Sequence, residues 1–201
     1  MSELFDFSAF PCLESERLLL REVDPARDAQ ALFDLFSDPI TVQLTDVGPF
    51  TDPQEAQEIL DWVADIYAQR RGIRWAAARK DDPAGTLIGL CGYNYWLRWN
   101  DCGEVGYHLA RPYWNQGLMT EAMREVVRFG FTHMALHRIE ADVTVGNVGS
   151  ARVLEKLGFT REGLLRGRGH WRDAYHDLWF YGLLRDDWAA GDTGAAAPSA
   201  A

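Results

Sequence analysis

Cysteine is scarce and scattered, with Cys12, Cys91 and Cys102 the full set. An odd and widely spaced set supplies neither a disulfide framework nor the ligand spacing of a thiolate metal site. Reduced thiols are the simplest account, so a cytoplasmic location is expected. No uninterrupted apolar run reaches membrane-spanning length, and no membrane partner is expected. Residues Met1 to Phe10 carry acids and no basic segment, which does not fit a secretory signal. The phosphate-binding signatures GxxxxGK[ST] and a GxGxxG opening a helix after a strand are both missing, so nucleotide hydrolysis and dinucleotide binding lack support. The GxSxG of a serine hydrolase is missing too. The five histidines are dispersed; His133 and His137 stand four apart, where a helix end rather than a zinc site is expected, and no metal is expected. Basic residues are outnumbered 20 to 30 by acidic ones, and the net charge of −10 argues against nucleic acid as a partner.

What is present fits one well-buried domain over residues 1–188 of the 201, followed by an Ala/Gly-rich tail, 189–201, expected to be disordered. Eight tryptophans provide bulk for a core and for an oligomer contact, and a homodimer is among the expectations. Charge is uneven. Between Arg111 and Arg172 ten Lys/Arg face six Asp/Glu, a local excess of four positive charges inside an acidic chain. That pattern points to an anionic ligand on one side and a cationic acceptor on the other.

Hydrophobic spacing gives an ordered reading. Residues 17–22 form a first strand, and Asp24-Pro25 and Asp52-Pro53 open two helices. Strands follow over 73–79, 86–95 and 103–109, then a helix from Gly117 to about His133. A strand at 138–145, a short helix over 149–157 and two strands, 159–168 and 175–184, complete the domain. The expected class is α+β, with a mostly antiparallel sheet of about seven strands flanked by helices.

The run from Glu104 to Ala122, EVGYHLARPYWNQGLMTEA, places a strand, a tight loop and a helix in succession. A helix N-terminus offers unpaired N–H groups and the positive end of the dipole, and Gly117 lets the backbone approach a phosphate closely. By itself such a turn is common and binds nothing in many proteins.

The segment Tyr113-Trp114-Asn115-Gln116-Gly117-Leu118-Met119-Thr120-Glu121-Ala122 resembles motif A of the GNAT acetyltransferases, in the form of the RimJ/RimL branch of ribosomal-protein N-terminal acetyltransferases. Three further segments agree in order and spacing: Arg17 to Arg21 resembles the opening strand, Asn147 to Phe159 the second cofactor motif, and Tyr175-His176-Asp177 the final strand. The resemblance spans roughly residues 12 to 188. Trp114 stands where the superfamily pattern has Gln or Arg, and Met119 where it has a small residue.

That resemblance implies a GNAT fold whose sheet splays between its fourth and fifth strands, with acetyl-CoA in the gap and no metal. It implies that Tyr107, His108 and Leu109 pair with the pantetheine arm. Asn115, Gln116, Gly117, Leu118, Met119 and Thr120 would hold the pyrophosphate, while Asn147 and Ser150 would meet the arm from the other side. An alkylammonium, with a pKa of about 10, must lose a proton before it attacks a thioester. Glu104 is the expected base, acting through water, with a structural carboxylate as the competing reading. Ser150 is the expected donor to the departing thiolate, against an ordinary first-turn serine. A backbone N–H near His108 or Leu109 would meet the oxyanion. Tyr107 and Tyr113 are alternative acids. Tyr175, His176 and Asp177 are expected near the acceptor mouth, with Asp177 anchoring the sheet. The expected activity is acetyl transfer from acetyl-CoA to a primary amine, at a protein N-terminus or on a small amine such as a polyamine or aminoglycoside. A non-catalytic acyl-CoA-binding module is the reading from a different class.

Overall fold

The side chains of Asp24 and Asp52 each accept a backbone N–H from the turn that follows, and a proline opens each helix, so α1 (Pro25–Ser37) and α2 (Pro53–Ala68) start where the spacing predicts. The computed structural model describes residues 5–191. Its strands are β1 (Leu13–Glu14), β2 (Leu18–Arg21), β3 (Ile73–Arg79), β4 (Leu87–Leu97), β5 (Cys102–Leu109), β6 (Arg138–Thr144), β7 (Thr160–Trp171) and β8 (Ala174–Leu184). They form one sheet in the order β1-β2-β3-β4-β5-β6-β8-β7. Every neighbouring pair is antiparallel except β5 and β6. The expected α+β architecture is therefore present, with eight strands rather than seven; β1 has two residues, too few to show an alternation.

Three more helices complete the frame: α3 (Leu118–Thr132), α4 (Val148–Lys156) and α5 (Arg185–Gly191). The tail expected to begin at residue 189 starts inside α5, and its remainder, 192–201, lies outside the described residues. Among the described residues no helix is long and apolar enough to cross a membrane.

Both faces of the sheet are covered. Leu118, Met119, Ala122, Met123 and Val126 of α3 and Leu154 of α4 pack with Trp75, Tyr93, Ile139 and Val143 on one face. Leu32, Leu35 and Phe36 of α1 and Leu60 and Val63 of α2 pack with Ala76, Leu87 and Leu90 on the other. Alternation explains how β3 and β4 serve both layers.

Two departures position the site. Among the described residues β5 and β6 pair only at Cys102–Arg138, Gly103–Ile139 and Glu104–Glu140, and from Val105 to Leu109 no described strand lies beside this edge of β5. β4 is bulged opposite Glu104: Tyr93 pairs with Val105 and Tyr95 with Glu104, leaving Asn94 as the extra residue.

Candidate active site

The turn after β5 delivers the chain to α3 through two left-handed residues, Asn115 (φ 59°) and Gly117 (φ 77°). Gly117 caps α3 by its backbone alone, so the first-turn amides point outward from the helix start. Arg17 steadies this turn. Its Nη1 donates to the Gln116 carbonyl at 3.1 Å, while its backbone N–H and Nε each lie 2.7 Å from the Glu121 carboxylate. Ser15 adds a third donor to Glu121 at 2.6 Å. Burial raises the Glu121 pKa, but the hydrogen bonds from Ser15 and Arg17 outweigh it and leave it below the ordinary value.

Trp114, where the superfamily pattern has Gln or Arg, braces the turn. Its indole Nε1 donates to the Leu109 carbonyl at 2.7 Å, tying the turn back to the end of β5. Met119 is 6% exposed and packs in the core beneath the turn, so its bulk is absorbed by the layer under α3.

A cavity of about 520 Å³ opens at this turn. Tyr107, His108, Leu109, Asn115, Gly117, Leu118, Met119, Thr120, Asn147 and Ser150 all line it. Gln116 does not: its side chain donates to the Pro112 carbonyl at 2.8 Å, and its own carbonyl is held by Arg17. Glu104 is also off the wall, deeper along β5.

Asn147 caps α4, accepting the Ser150 N–H at 3.1 Å. That fixes Ser150 so that its hydroxyl lies 2.9 Å from the Tyr107 hydroxyl, which also donates to the Ser150 carbonyl at 3.0 Å. Burial pushes the Tyr107 phenol well above its ordinary value, so it stays protonated as a donor. Ala110 donates its amide to Ile88 on β4, and alternation therefore turns the Tyr107 and Leu109 amides toward the free edge. Of the two amides expected to meet an oxyanion, that of Leu109 faces the gap and that of His108 faces β4.

The His108 ring lies edge-on to Phe36 at 4.8 Å, with Nδ1 buried and unpartnered among the described residues. Burial, helped by the charge of Arg74, pushes its pKa down to about 3 and keeps it neutral. Arg74, 2% exposed, donates to Asn94 Oδ1 at 2.6 Å and to the Gly106 carbonyl at 3.0 Å. Burial lowers its pKa to about 10, so the guanidinium stays charged at neutral pH. Asn94 Nδ2 donates to Glu104 at 2.9 Å. Burial raises the Glu104 pKa, and the charges of Asp142 and Glu140 add to this, against hydrogen bonds from Asn94 and Tyr95. Glu140 and Asp142 alternate on β6 with buried Ile139, Ala141 and Val143.

Two parts of the wall were not among the expected site residues, although the second lies inside the segment that resembles the second cofactor motif. Ile40, Thr41, Gln43, Leu44 and Thr45 come from the connection between α1 and α2, and Arg152 and Lys156 from α4. The first had one signal: a long stretch without periodicity between two well-capped helices. The second had the local excess of positive charge. Of the groups expected at the acceptor mouth, Asp177 accepts the Gly167 N–H at 2.7 Å and holds the β7–β8 irregularity, and His176 stacks on Trp171 at 4.1 Å. Tyr175 is 77% exposed. Tyr113 lines the cavity at the turn.

These features fit an anionic, elongated ligand: outward amides at one end, two cations on the wall, and a strand edge with free backbone groups along its length. Among the described residues no group of three or more His, Cys, Asp or Glu is placed to hold a metal.

Comparison with known proteins agrees. The sequence profile described as "Acetyltransferase (GNAT) domain" matches residues 17–160. The chain is similar to the uncharacterized N-acetyltransferase p20 of Bacillus licheniformis, 33% identical over 88% of this chain and 98% of that protein. It is 27% identical to the [ribosomal protein uS5]-alanine N-acetyltransferase of Escherichia coli, over 89% of this chain and 93% of that one. Mycobacterium smegmatis RimJ, solved in complex with CoA-disulfide, superposes with a TM-score of 0.76 at 21% identity, covering 89% of this chain and 88% of its own.

Proposed function

The chain belongs to the GNAT acetyltransferases, N-acetyltransferases that use acetyl-CoA, and on that premise we propose that it acetylates the α-amine of a protein N-terminus. The observation that carries the reading is the end of β5–β6 pairing at Glu104. A free strand edge runs from there to the Gly117 turn, so a ligand held along it has its phosphate end at the turn and its other end toward Glu104.

Bound acetyl-CoA brings an acyl thioester already activated toward amines. The chain's own groups do the rest. The amides of the turn, with Arg152 and Lys156, hold the anionic end, and the Tyr107 and Leu109 backbone orients the arm. The Leu109 N–H faces the place where carbonyl charge develops. Glu104 takes the ammonium proton through water, since it stands back from the cavity wall. The Ser150 hydroxyl, held against Tyr107, donates a hydrogen bond to the departing thiolate, which takes its proton from solvent.

The α-amine favours this machinery. Its pKa of about 8, against about 10 for an alkylammonium, leaves roughly a hundredfold more free base at neutral pH, a demand that one half-buried carboxylate meets. The Escherichia coli relative, named for a ribosomal-protein alanine, supports the same choice. A second reading, a small polycationic amine, draws on Glu140 and Asp142 beside Glu104.

A thiol-release assay with acetyl-CoA decides between them, run with short peptides bearing free or blocked N-termini and with polyamines and aminoglycosides. Release driven by free-N-terminus peptides, with one acetyl group gained on the product, is the expected result. Release driven only by polyamines would move the assignment to the second reading. Acetyl-CoA binding with no amine-stimulated release would reduce the chain to an acyl-CoA-binding module.

A further inference from the structure

The β7–β8 hairpin turns through Arg172 and Asp173, both left-handed, with φ of 51° and 56°. Such a two-residue turn ordinarily uses Asn-Gly, since a side chain in left-handed backbone meets its own carbonyl. Arg172 is thus held at a cost in local conformation, and its guanidinium shows what it does there. Nε donates to the Gly48 carbonyl at 3.2 Å and Nη1 to that of Gln43 at 3.1 Å. Nη2 reaches the carbonyls of Val42 at 2.9 Å, Val47 at 3.1 Å and Gly48 at 2.8 Å. One planar fork gathers four backbone carbonyls of the α1–α2 connection, more than 120 residues away in sequence.

Those carbonyls belong to the segment whose other side walls the cavity. Gln43 gives its carbonyl to Arg172 while the residue lines the cavity, and Leu44 and Thr45 follow on the same wall. The rest of the connection is anchored independently. Val42 is fully buried, Phe50 is 8% exposed with its amide on the Phe36 carbonyl at 3.0 Å, and Thr144 of β6 donates to the Leu44 carbonyl at 2.8 Å. Losing Arg172 therefore loosens the segment, chiefly its 45–48 part, while Val42, Leu44 and Phe50 keep their own anchors.

We propose that Arg172 is a positioning residue that latches the 42–48 segment as the acceptor-side wall of the cavity and so sets affinity for the amine. The proposal rests on the amine-transfer reading of the site. Arg172 touches neither reactant; it acts through the loop.

The test compares wild type, Arg172→Ala, Arg172→Lys and the double replacement Arg172→Asn with Asp173→Gly. The last gives the hairpin the turn residues its backbone prefers, so the hairpin stays folded while the latch is removed. Expected results are faster hydrogen exchange over residues 42–48 in Arg172→Ala and in the double variant, acetyl-CoA affinity within about twofold, and acceptor KM raised by about tenfold with kcat less affected. Arg172→Lys, with a charge but no planar fork, should fall between. Unchanged exchange with unchanged acceptor KM in the double variant would overturn the latch. So would a KM rise in that variant matched by an equal loss of acetyl-CoA affinity. Wild-type protein that binds acetyl-CoA and acetylates no amine would sink the amine-transfer reading instead, and the exchange comparison tells the two failures apart.

Discussion

Asn94, the extra residue of the β4 bulge, donates its side-chain amide to the Glu104 carboxylate at 2.9 Å while accepting from Arg74 at 2.6 Å. The bulge turns a strand residue into a tether for a half-buried acid, and the tether works against the desolvation that raises its pKa.

Glu104→Gln should lower kcat by about a hundredfold, within the usual range for a positioned base, and leave acetyl-CoA binding intact. A half-buried acid with a raised pKa contributes stability that is present while it is protonated and lost as pH rises through the raised value. The neutral Gln should therefore melt no lower than wild type at neutral pH, a loss of rate without a loss of fold. A large drop in melting temperature would mark Glu104 as structural.

Asn94→Ala removes a donor that favours the ionised carboxylate. As the proposed base, Glu104 acts in its ionised form, so kcat/KM should fall as pH drops through its pKa, already above the ordinary 4.5. In the variant that acid limb should move to higher pH. A pH–rate profile identical to wild type would show that Glu104 does not control it.

Gly117 has room for a side chain, since an added Cβ would meet nothing nearer than Arg17 Nη2 at 3.6 Å. Its φ of 77° is the constraint. Gly117→Ala should cost about 1 kcal/mol in stability and weaken acetyl-CoA binding, with Gly117→Asn milder, because Asn tolerates left-handed backbone. Titration of both variants with acetyl-CoA checks the ranking.

The hydroxyls of Tyr107 and Ser150 are hydrogen-bonded to each other, so the effects of removing them should not add. Ser150→Ala and Tyr107→Phe should each lower kcat by about tenfold, and the double variant by little more than either. A multiplicative loss in the double variant would mean that the two act separately.

Glu121 ties the opening strands to α3. Its lowered pKa contributes stability present above the ordinary 4.5 and lost as pH falls through the folded value. Glu121→Gln should cost about 1–3 kcal/mol near neutral pH, as three donors lose a charged acceptor, and the gap to wild type should close in acid.

The fold was legible where local rules and tertiary needs coincide. Asp24-Pro25 and Asp52-Pro53 announce helix starts through capping chemistry, and Gly117 marks a left-handed cap by its residue type. The hairpin was not legible. Arg172-Asp173 is an unusual pair for a tight turn, so 169–174 read as loop where β7 and β8 run on to meet it. The loop wall at 40–45 was hidden for another reason: what holds it lies on a distant strand and hairpin, and no local pattern encodes that contact. Glu104 was picked out by its place before the cofactor turn. Its distance from the cavity wall, and the Arg74–Asn94 chain behind it, depend on a bulge in the neighbouring strand.

The central claim is that the turn at Gly117 and the free edge of β5 together hold acetyl-CoA. Calorimetric titration of wild type and Gly117→Ala with acetyl-CoA tests it most directly. Wild type should give saturable heat with one site per chain, and the variant clearly weaker binding. Absence of heat in wild type, or equal affinity in the two proteins, would contradict it.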